Sequence, residues 1–472
     1  MRYAGELADY RRILVRATNW IGDAIMSLPA LRAIRERYPE AHIAVLARPW
    51  VADLYAGETA ASEVIPYEGR GIGAAWRVAE KLRARRFDAA ILLQNAFDAA
   101  LIAWLARIPS RIGYRRDGRG LLLTTAVRVP KPGELPRHER FYYLEMLRRA
   151  GLVDSLPTDA PIRLAKGDAA RRRGEELYSS LGIQLPVLAV SPGAAFGTAK
   201  RWLPERFAEA AAALAGQAGA TVVVFGSAAE RELCGRVAAD AAARGAAARN
   251  LAGRTTLTDY IALAAAAKLY LTNDSGAMHI ASALGVPTVT VFGATDHTTT
   301  GPTGSLARIV REPVECSPCL LRECPIDHRC MTRVTAGRVV REGRELMGMD
   351  TRRKILDAAA ARTLVEAGPT RLVSGYFDPL TAAHADRLAE IARAEPGRKL
   401  VVLVQPWEDA LLDAVSRAEL VAALRTVEAV VAGEEAQRLA GMVPEAAILH
   451  EERADEERRR QLVAHIRSRH EA

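Results

Sequence analysis

Two successive series of short β-branched runs, separated by longer alanine- and leucine-rich segments, constrain the fold of this chain most strongly. The first series contains the apolar runs 13–17, 42–47 and 88–93, with helical patterns over Ile25–Tyr38 and Trp76–Arg86. Runs that alternate with helices at this spacing are typical of βαβ units on a parallel sheet. The sequence therefore predicts a doubly wound α/β domain in the first third of the chain.

A second series of the same kind begins at Pro186. Its helices are predicted from Pro204 to Gly216, from Glu230 and from Ala277, and its apolar runs are 187–193, 221–226, 268–274 and 287–293. The polar stretch Gly151–Lys166 separates the two series and is predicted to connect them. The predicted fold is thus two Rossmann-like, doubly wound domains that face a cleft, where ligands bind at the carboxyl ends of the strands.

A third, smaller α/β unit is predicted from residue 371 onward. Its runs and helices include RLVSGYFDPL, Ala382–Ala394, KLVVLV and a helix from Arg417, and a helix over Ile355–Glu366 precedes it. The charged segment Glu451–Ala472 is predicted to be a solvated terminal helix. The predicted domains are 1–165 (acceptor-binding), 166–345 (nucleotide-sugar-binding), a linker helix over 346–367, and 368–472.

Composition narrows the class of protein without identifying it. The 472 residues are 50% hydrophobic and 26% charged, which excludes a disordered, collagen-like or purely coiled-coil chain. The 65 Lys+Arg against 56 Asp+Glu give a net charge of +9, which suits anionic partners. No run approaches the roughly 18 apolar residues of a membrane span, and the first residues lack a signal-peptide pattern. We therefore expect a cytoplasmic protein.

Two polar loops follow strands and precede helices. In Thr18–Asp23, a glycine would let a ligand approach the backbone, and Asp23 could act as a base or cap the helix. Capping is the favoured interpretation of this motif alone, because Asp is among the best caps. In Ser191–Trp202, Gly193 allows close approach to phosphates, and Thr198 and Lys200 can contact them. A solvated surface turn is the alternative for that loop.

The third polar loop is Thr272–His279. Asp274, Ser275 and the Gly276 backbone are expected to point into the cleft, and His279 lies one turn further along the same helix face. A histidine on such an alanine-rich helix is more often a packed core residue than a catalyst. Three polar loops at the carboxyl strand ends of two facing domains together predict a ligand site.

Residues 13–39, 191–211 and 273–296 together closely resemble glycosyltransferase family 9, and within it the lipopolysaccharide heptosyltransferase II type. The resemblance spans approximately Arg11–Val340 and implies a GT-B fold, ADP-L-glycero-D-manno-heptose as donor and the lipid A core as acceptor. It implies these roles for matching positions: Asp23 as catalytic base, Thr198 and Lys200 as diphosphate contacts, Glu230 as ribose ligand, and Asp274, Ser275, Gly276 and His279 as the donor loop.

The implied reaction is a single inverting displacement. Asp23 removes a proton from the acceptor hydroxyl, while Lys200 and backbone N–H groups of the Gly193 and Gly276 loops stabilise the departing ADP. Neither a metal nor another cofactor is expected for transfer, and no nucleic-acid partner is expected. Contact with the cytoplasmic face of the inner membrane is compatible with arginines near the acceptor side, for which solvation is the more common explanation; these are Arg111, Arg115, Arg116 and Arg137.

Four cysteines follow the second series with C-x2-C-x4-C-x5-C spacing: Cys316, Cys319, Cys324 and Cys330. Four thiolates could form a closed structural zinc site. A loop of reduced thiols is the alternative, and elemental analysis separates the two.

The segment Gly375–His384 is similar to the G-x-F-D-x-x-H-x-G-H signature of cytidylyltransferase-like nucleotidyltransferases, a group that includes the heptose 1-phosphate adenylyltransferases. Asp378 and His384 match that signature, whereas Thr381 replaces its first histidine and Ala383 its glycine. A degenerate, noncatalytic domain is therefore the favoured interpretation. Two further hypotheses remain: a bifunctional enzyme that also makes ADP-heptose, and a nucleotide-binding scaffold of the same pathway.

Overall fold

The computed structural model describes residues 9–69, 71–349 and 351–470. Residues 1–8, on which the expectation of no signal peptide depends, lie outside this range, as do the last two residues of the predicted terminal helix. The chain forms two compact units, of which the first ends at Met347 and the second begins at Gly348. Each unit is described separately below.

The first unit contains two six-stranded parallel sheets. The strands of the first sheet stand in the order β3-β2-β1-β4-β5-β6. They are β1 (Arg12–Arg16), β2 (His42–Ala47), β3 (Glu63–Pro66), β4 (Ala89–Leu92), β5 (Ser110–Tyr114) and β6 (Thr125–Val127). The register pairs Arg12 of β1 with His42 of β2, and Ile13 of β1 with Ala89 of β4.

Helices cover both faces of the first sheet. They are α1 (Ile21–Met26), α2 (Leu28–Arg37), α3 (Pro49–Ala56), α4 (Gly71–Arg83), α5 (Phe97–Leu105) and α6 (Glu139–Arg149). Alternate strand residues divide between two cores, so that Ile13 and Val15 pack with α1, α2, α3 and α6, whereas Leu14 packs with α4 and α5. The predicted helix Ile25–Tyr38 is two helices, because the chain turns at Ser27 between α1 and α2.

The second sheet repeats the strand order of the first, as β12-β11-β10-β7-β8-β9. Its strands are β7 (Val187–Ser191), β8 (Thr221–Val224), β9 (Ala248–Asn250), β10 (Leu269–Asn273), β11 (Thr288–Phe292) and β12 (Ala307–Arg311). Its helices are α7 (Gly167–Ser180), α8 (Pro204–Ala218), α9 (Arg231–Ala243), α10 (Leu257–Ala265), α11 (Gly276–Ala283), α12 (His297–Thr300), α13 (Arg329–Thr332) and α14 (Ala336–Met349). Two doubly wound sheets are present, as the sequence predicts.

One hydrophobic core is shared by the two sheets of the first unit. It contains Ile25 and Met26 of α1 together with Ile280 and Ala281 of α11. The connecting segment 151–166 has neither helix nor strand, and it is fastened by a hydrogen bond from the Leu164 N–H to the Ala283 carbonyl. The carboxyl edges of both sheets are thereby held next to each other.

The second unit is built on a four-stranded parallel sheet in the order β15-β14-β13-β16. Its strands are β13 (Thr370–Gly375), β14 (Lys399–Val404), β15 (Ala429–Ala432) and β16 (Ile448–His450), and its helices are α15 (Ala358–Glu366), α16 (Ala382–Ala394), α17 (Ala414–Ala422), α18 (Glu434–Ala440) and α19 (Glu452–His470). The segment predicted as a linker is divided between the units, since Leu346 lies in a core of the first unit, whereas Ala358 and Ala361 of α15 lie in the core of the second. Across the described chain, no helix combines the length and apolar character needed to cross a bilayer.

Candidate active site

Three of the predicted loops meet where the strand order of each sheet reverses direction. Asp23 follows β1, Lys200 follows β7 and Asp274 follows β10, and these strands flank the reversal points between β1 and β4 and between β7 and β10. A parallel sheet of this order opens a crevice at its carboxyl edge at that point. The side chains that the sequence singled out therefore come from the two crevices of one unit.

The first turns of α1 and α11 touch through two glycines. A Cβ added to Gly22 would lie 2.9 Å from Cδ2 of His279, and one added to Gly276 would lie 2.9 Å from Cβ of Ile21. The sequence suggested that Gly22 leaves room for a ligand, whereas the structure fills that room with His279. The glycines let the two helices approach, and this contact sets the distance between Asp23 and the second sheet.

The Asp23 carboxylate does not cap α1. The residue that caps α1 is Trp20, whose side chain makes no capping hydrogen bond, and Asp23 lies in the first helical turn. Burial raises the pKa of Asp23, and the positive charge of Lys200 partly offsets that rise. No described residue donates a hydrogen bond to this carboxylate. The capping interpretation favoured for this motif alone was therefore wrong, and the Asp23 carboxylate lies within electrostatic range of Lys200.

The Lys200 ammonium is held by an acidic partner on β10. Its Nζ lies 2.6 Å from Oδ2 of Asp274, and the Thr295 hydroxyl donates to the same oxygen at 2.6 Å. The ammonium also lies 4.9 Å from the centroid of the Phe196 ring. The side chains of both charged residues are largely buried. The cation is thus oriented before any anionic ligand arrives.

Glu230 lies directly against Gly193, in the loop Ser191–Trp202. A Cβ on Gly193 would lie 2.0 Å from Oε1 of Glu230, so a larger residue at this position would displace the carboxylate. Oε2 of Glu230 accepts hydrogen bonds from the N–H and hydroxyl of Ser227, at 2.9 and 2.8 Å. The carboxylate is therefore fixed at the carboxyl edge of the second sheet, beside the loop that carries Lys200.

The remaining predicted residues differ in exposure. Thr198 is exposed in the short 3-10 turn Thr198–Lys200. Ser275 precedes α11, and its Oγ lies 3.2 Å from Oγ1 of Thr272. His279 is buried, and burial lowers its pKa to about 4, with contributions from neighbouring charges. His279 is a neutral, packed side chain at neutral pH, in agreement with the interpretation favoured for an isolated histidine.

Sequence reasoning did not assign a role to Asn273, and it named Arg137 only for membrane contact without foreseeing its ion pair. Asn273 is fully buried. Its Oδ1 accepts a hydrogen bond from the backbone N–H of Trp202 at 2.9 Å, and its Nδ2 donates to the Pro192 carbonyl at 2.7 Å. Asn273 therefore connects β10 to the loop that carries Lys200. Arg137 pairs with Asp296 at 2.7 Å across the two halves of the unit. Asn273 had a detectable signal, because it ends a strand directly before Asp274. Arg137 lies in a segment without a strand-end motif.

The four-cysteine loop packs against the turn that carries Lys200. The Arg322 carbonyl accepts the Ala199 N–H at 3.0 Å, and Nε2 of His328 lies 2.9 Å from the Ala199 carbonyl oxygen. A Cβ on Gly197 would lie 2.2 Å from the Arg322 oxygen, so this position requires glycine. The loop therefore supports the Lys200 turn from outside.

The cysteines of this loop form no disulfide and lie near one another. Burial and, to a smaller extent, the three other thiols of the loop raise the pKa of Cys330 to about 11. Within the described ranges, no three histidine, cysteine or acidic side chains already form a group that could hold a metal ion. Zinc at these four cysteines stays a prediction.

Comparisons with known proteins agree on one family for this chain. The model of glycosyltransferase family 9 (heptosyltransferase) matches residues 75–329. Lipopolysaccharide heptosyltransferase 2 of Salmonella typhimurium is 36% identical over 309 residues, which cover 64% of this chain and 88% of that protein. The Escherichia coli K12 protein of the same name gives the same identity and coverage.

Solved structures agree with the sequence relatives. The structure of E. coli ADP-heptose LPS heptosyltransferase II covers 71% of this chain and 98% of its own, at 32% identity and a TM-score of 0.60. A family 9 glycosyltransferase from Veillonella parvula, at 22% identity and a TM-score of 0.61, supports the fold alone. The two facing doubly wound domains are thus a GT-B-like arrangement.

Proposed function

Since the chain belongs to glycosyltransferase family 9, we propose that it transfers heptose from ADP-L-glycero-D-manno-heptose to the inner core of lipopolysaccharide, with inversion at the anomeric carbon. The observation that carries the proposal is the contact between the first turns of α1 and α11, which places the buried Asp23 carboxylate within electrostatic range of Lys200 from the other sheet. A base and a cation on the same crevice suit a displacement in which a proton is removed as an anion departs.

Asp23 is the proposed base. The acceptor oxygen forms a bond to the anomeric carbon while the bond from that carbon to the diphosphate oxygen breaks, and the acceptor proton passes to the Asp23 carboxylate. The raised pKa of Asp23 favours this proton transfer, because a buried carboxylate is a stronger base than an exposed one. The absence of a donor to Asp23 among the described residues leaves its oxygens available to a hydroxyl.

Lys200 and the loop backbones are proposed to stabilise the ADP leaving group. Charge develops on the diphosphate as its bond breaks, and the ammonium of Lys200 is already oriented by Asp274 and Thr295. Thr198, exposed one turn from the cation, is a proposed second contact. The first turn of α11, which begins at Gly276, presents backbone N–H groups to the same side. Glu230 is proposed to bind the ribose hydroxyls.

The decisive experiment incubates the full chain with ADP-heptose and a heptose-deficient core lipid and analyses the product by mass spectrometry. We expect a product heavier by one heptose, with release of one ADP. Binding of ADP without transfer to any core acceptor would instead support the nucleotide-binding scaffold.

For the second unit we propose a noncatalytic, nucleotidyltransferase-like domain. Oδ2 of Asp455 accepts the N–H groups of Tyr376 and Phe377, at 2.7 and 3.0 Å, and Oδ1 lies 3.0 Å from Nε2 of His384. Asp378 is likewise engaged, by the N–H groups of residues 411 and 412. The Asp455 carboxylate therefore already engages the backbone N–H groups and the histidine that a bound phosphate would need.

Pyrophosphate release tests this assignment directly. The full chain incubated with ATP and heptose 1-phosphate is expected to release none above background. Release above background would establish the bifunctional alternative, while the transfer assay above would be unaffected by either result.

A further inference from the structure

Helix α5 is apolar on all sides and yet has an exposed face. Eight of the nine residues in Phe97–Leu105 are apolar, and the exception, Asp98, is paired with Arg48 at 3.6 Å. Ile102 and Ala103 point into the core beneath the first sheet, whereas Phe97 and Trp104 are each 49% exposed. A helix that is hydrophobic all round is ordinarily covered on all sides. The exposed side of α5 is therefore expected to contact another molecule.

The neighbouring elements extend this apolar surface. Helix α4 packs beside α5 and exposes Ile72 and Trp76, one turn apart, at 74% and 53%. The 3-10 turn Arg119–Leu122 also packs against α5 and exposes Leu121 at 98%. We refer to these exposed side chains as the α4–α5 face: Ile72, Trp76, Phe97, Trp104 and Leu121. Tryptophan is usually well buried on average, so two half-exposed tryptophans on one face indicate a function.

The part of the chain that carries this face is rich in exposed positive charge. Between residues 71 and 121, seven basic residues are exposed and only two acidic ones, Glu80 and Asp117. The exposed basic residues are Arg77, Lys81, Arg83, Arg86, Arg107, Arg115 and Arg116. Aromatic and aliphatic side chains bordered by Lys and Arg form the pattern of surfaces that lie in the headgroup layer of an anionic bilayer.

We infer that the α4–α5 face binds the surface of an anionic phospholipid membrane. The apolar side chains enter the boundary of the acyl chains and the basic side chains contact the lipid phosphates. The inference deepens the proposed function, on which it rests in one respect: a membrane-held acceptor would be reached more efficiently by a membrane-bound enzyme. The face itself is composed of residues other than those assigned to catalysis or donor binding.

Vesicle co-sedimentation of the full chain tests the inference without reference to catalysis. We expect binding to vesicles of phosphatidylglycerol and phosphatidylcholine, weak binding to phosphatidylcholine alone, and release as the salt concentration rises. The double variant Trp76→Ser/Trp104→Ser should bind about tenfold more weakly, because two half-buried indole contacts are lost. The matched control is Leu181→Ser/Leu185→Ser, which removes two similarly exposed apolar side chains at the end of α7 and should bind as the unmodified chain does.

A second readout separates this inference from the proposed function. Transfer to a deacylated, water-soluble core acceptor should be the same in the Trp76→Ser/Trp104→Ser variant and in the unmodified chain, whereas transfer to the acceptor embedded in vesicles should fall. Equal vesicle binding by all three proteins would overturn the inference while leaving the transfer assignment intact. Self-association in light scattering that is lost in the tryptophan variant, without vesicle binding, would also overturn it and assign the face to a second copy of the chain.

Discussion

The ammonium of Lys200 lies 2.6 Å from a carboxylate oxygen of Asp274, and both side chains are largely buried. The pair joins the loop after β7 to the loop after β10, so the cation is part of the framework of the second sheet as well as the proposed diphosphate contact. Loss of Lys200 therefore has two separable consequences, one for stability and one for transfer.

Lys200→Met should reduce the free energy of unfolding by about 3 kcal/mol, because it leaves the Asp274 carboxylate buried without its partner. The double variant Lys200→Met/Asp274→Asn removes both charges and should recover much of that loss. Transfer should stay low in both variants if the cation acts on the leaving group. Denaturant unfolding and steady-state kinetics provide the two measurements, and recovery of transfer in the double variant would contradict the catalytic role.

Asp23→Ala should lower turnover by about two or more orders of magnitude and leave the affinity for ADP near that of the unmodified chain. The reason is that Asp23 touches the acceptor hydroxyl in the proposed reaction but none of the proposed donor contacts. Turnover is measured by ADP release and affinity by calorimetry. Retained turnover would remove Asp23 from the role of base.

The pH dependence of kcat/KM should reveal the electrostatic effect of Lys200 on Asp23. A base must be deprotonated, so kcat/KM should fall as pH falls through the pKa of Asp23, which burial raises above its ordinary value. The positive charge of Lys200 lowers that pKa, and Lys200→Met should therefore move the acid limb to higher pH. An acid limb that stays in place in Lys200→Met would show that the two groups do not interact.

Gly276→Ala should lower kcat/KM by at least about tenfold, because the new methyl group would meet Ile21 and push α1, with Asp23, away from α11. The matched control is Gly216→Ala within α8, where an added Cβ meets no atom within 4 Å. That control should retain activity and gain slightly in stability. Equal activity of the two variants would mean that the helix contact does not set the position of Asp23.

His279 should make the protein acid-sensitive. Its pKa is lowered to about 4, so between that value and its ordinary value near 6.5 the unfolded chain binds a proton that the folded chain does not. Stability is therefore lost as pH falls from 6.5 towards 4. The His279→Gln variant should lose less stability over this interval, as measured by denaturant midpoints, and an equal loss in the variant and the unmodified chain would contradict this role of His279.

The sequence could predict the central strands of all three sheets but few of their edges. β1, β7 and β10 are buried on both faces and read as continuous apolar runs, whereas β6 and β9 have three residues each with partly exposed side chains. Short edge strands take their conformation from the neighbour with which they pair, so their own pattern is weak. The break at Ser27 was missed for a similar reason, since the helical periodicity continues through it.

The site was predictable in its residues but not in its contacts. Strand-end position was sufficient to single out Asp23, Lys200 and Asp274. The sequence could not reveal that Lys200 pairs with Asp274 or that Gly22 accommodates His279, because both contacts join segments that are far apart in the chain. The capping role that the motif alone favours for Asp23 was wrong, because helix propensity favours a cap at that position, while tertiary structure begins the helix at a different residue.

The peptide unit next to Lys200 is fastened by chain that comes far later in the sequence. The N–H and carbonyl of Ala199 are engaged by Arg322 and His328. Deleting part of the segment between Cys316 and Cys330 would therefore remove contacts to the turn that carries Lys200. A shortened protein designed around the two sheets alone would keep every side chain assigned to chemistry. It would nevertheless lose the contacts that hold the Lys200 turn in place.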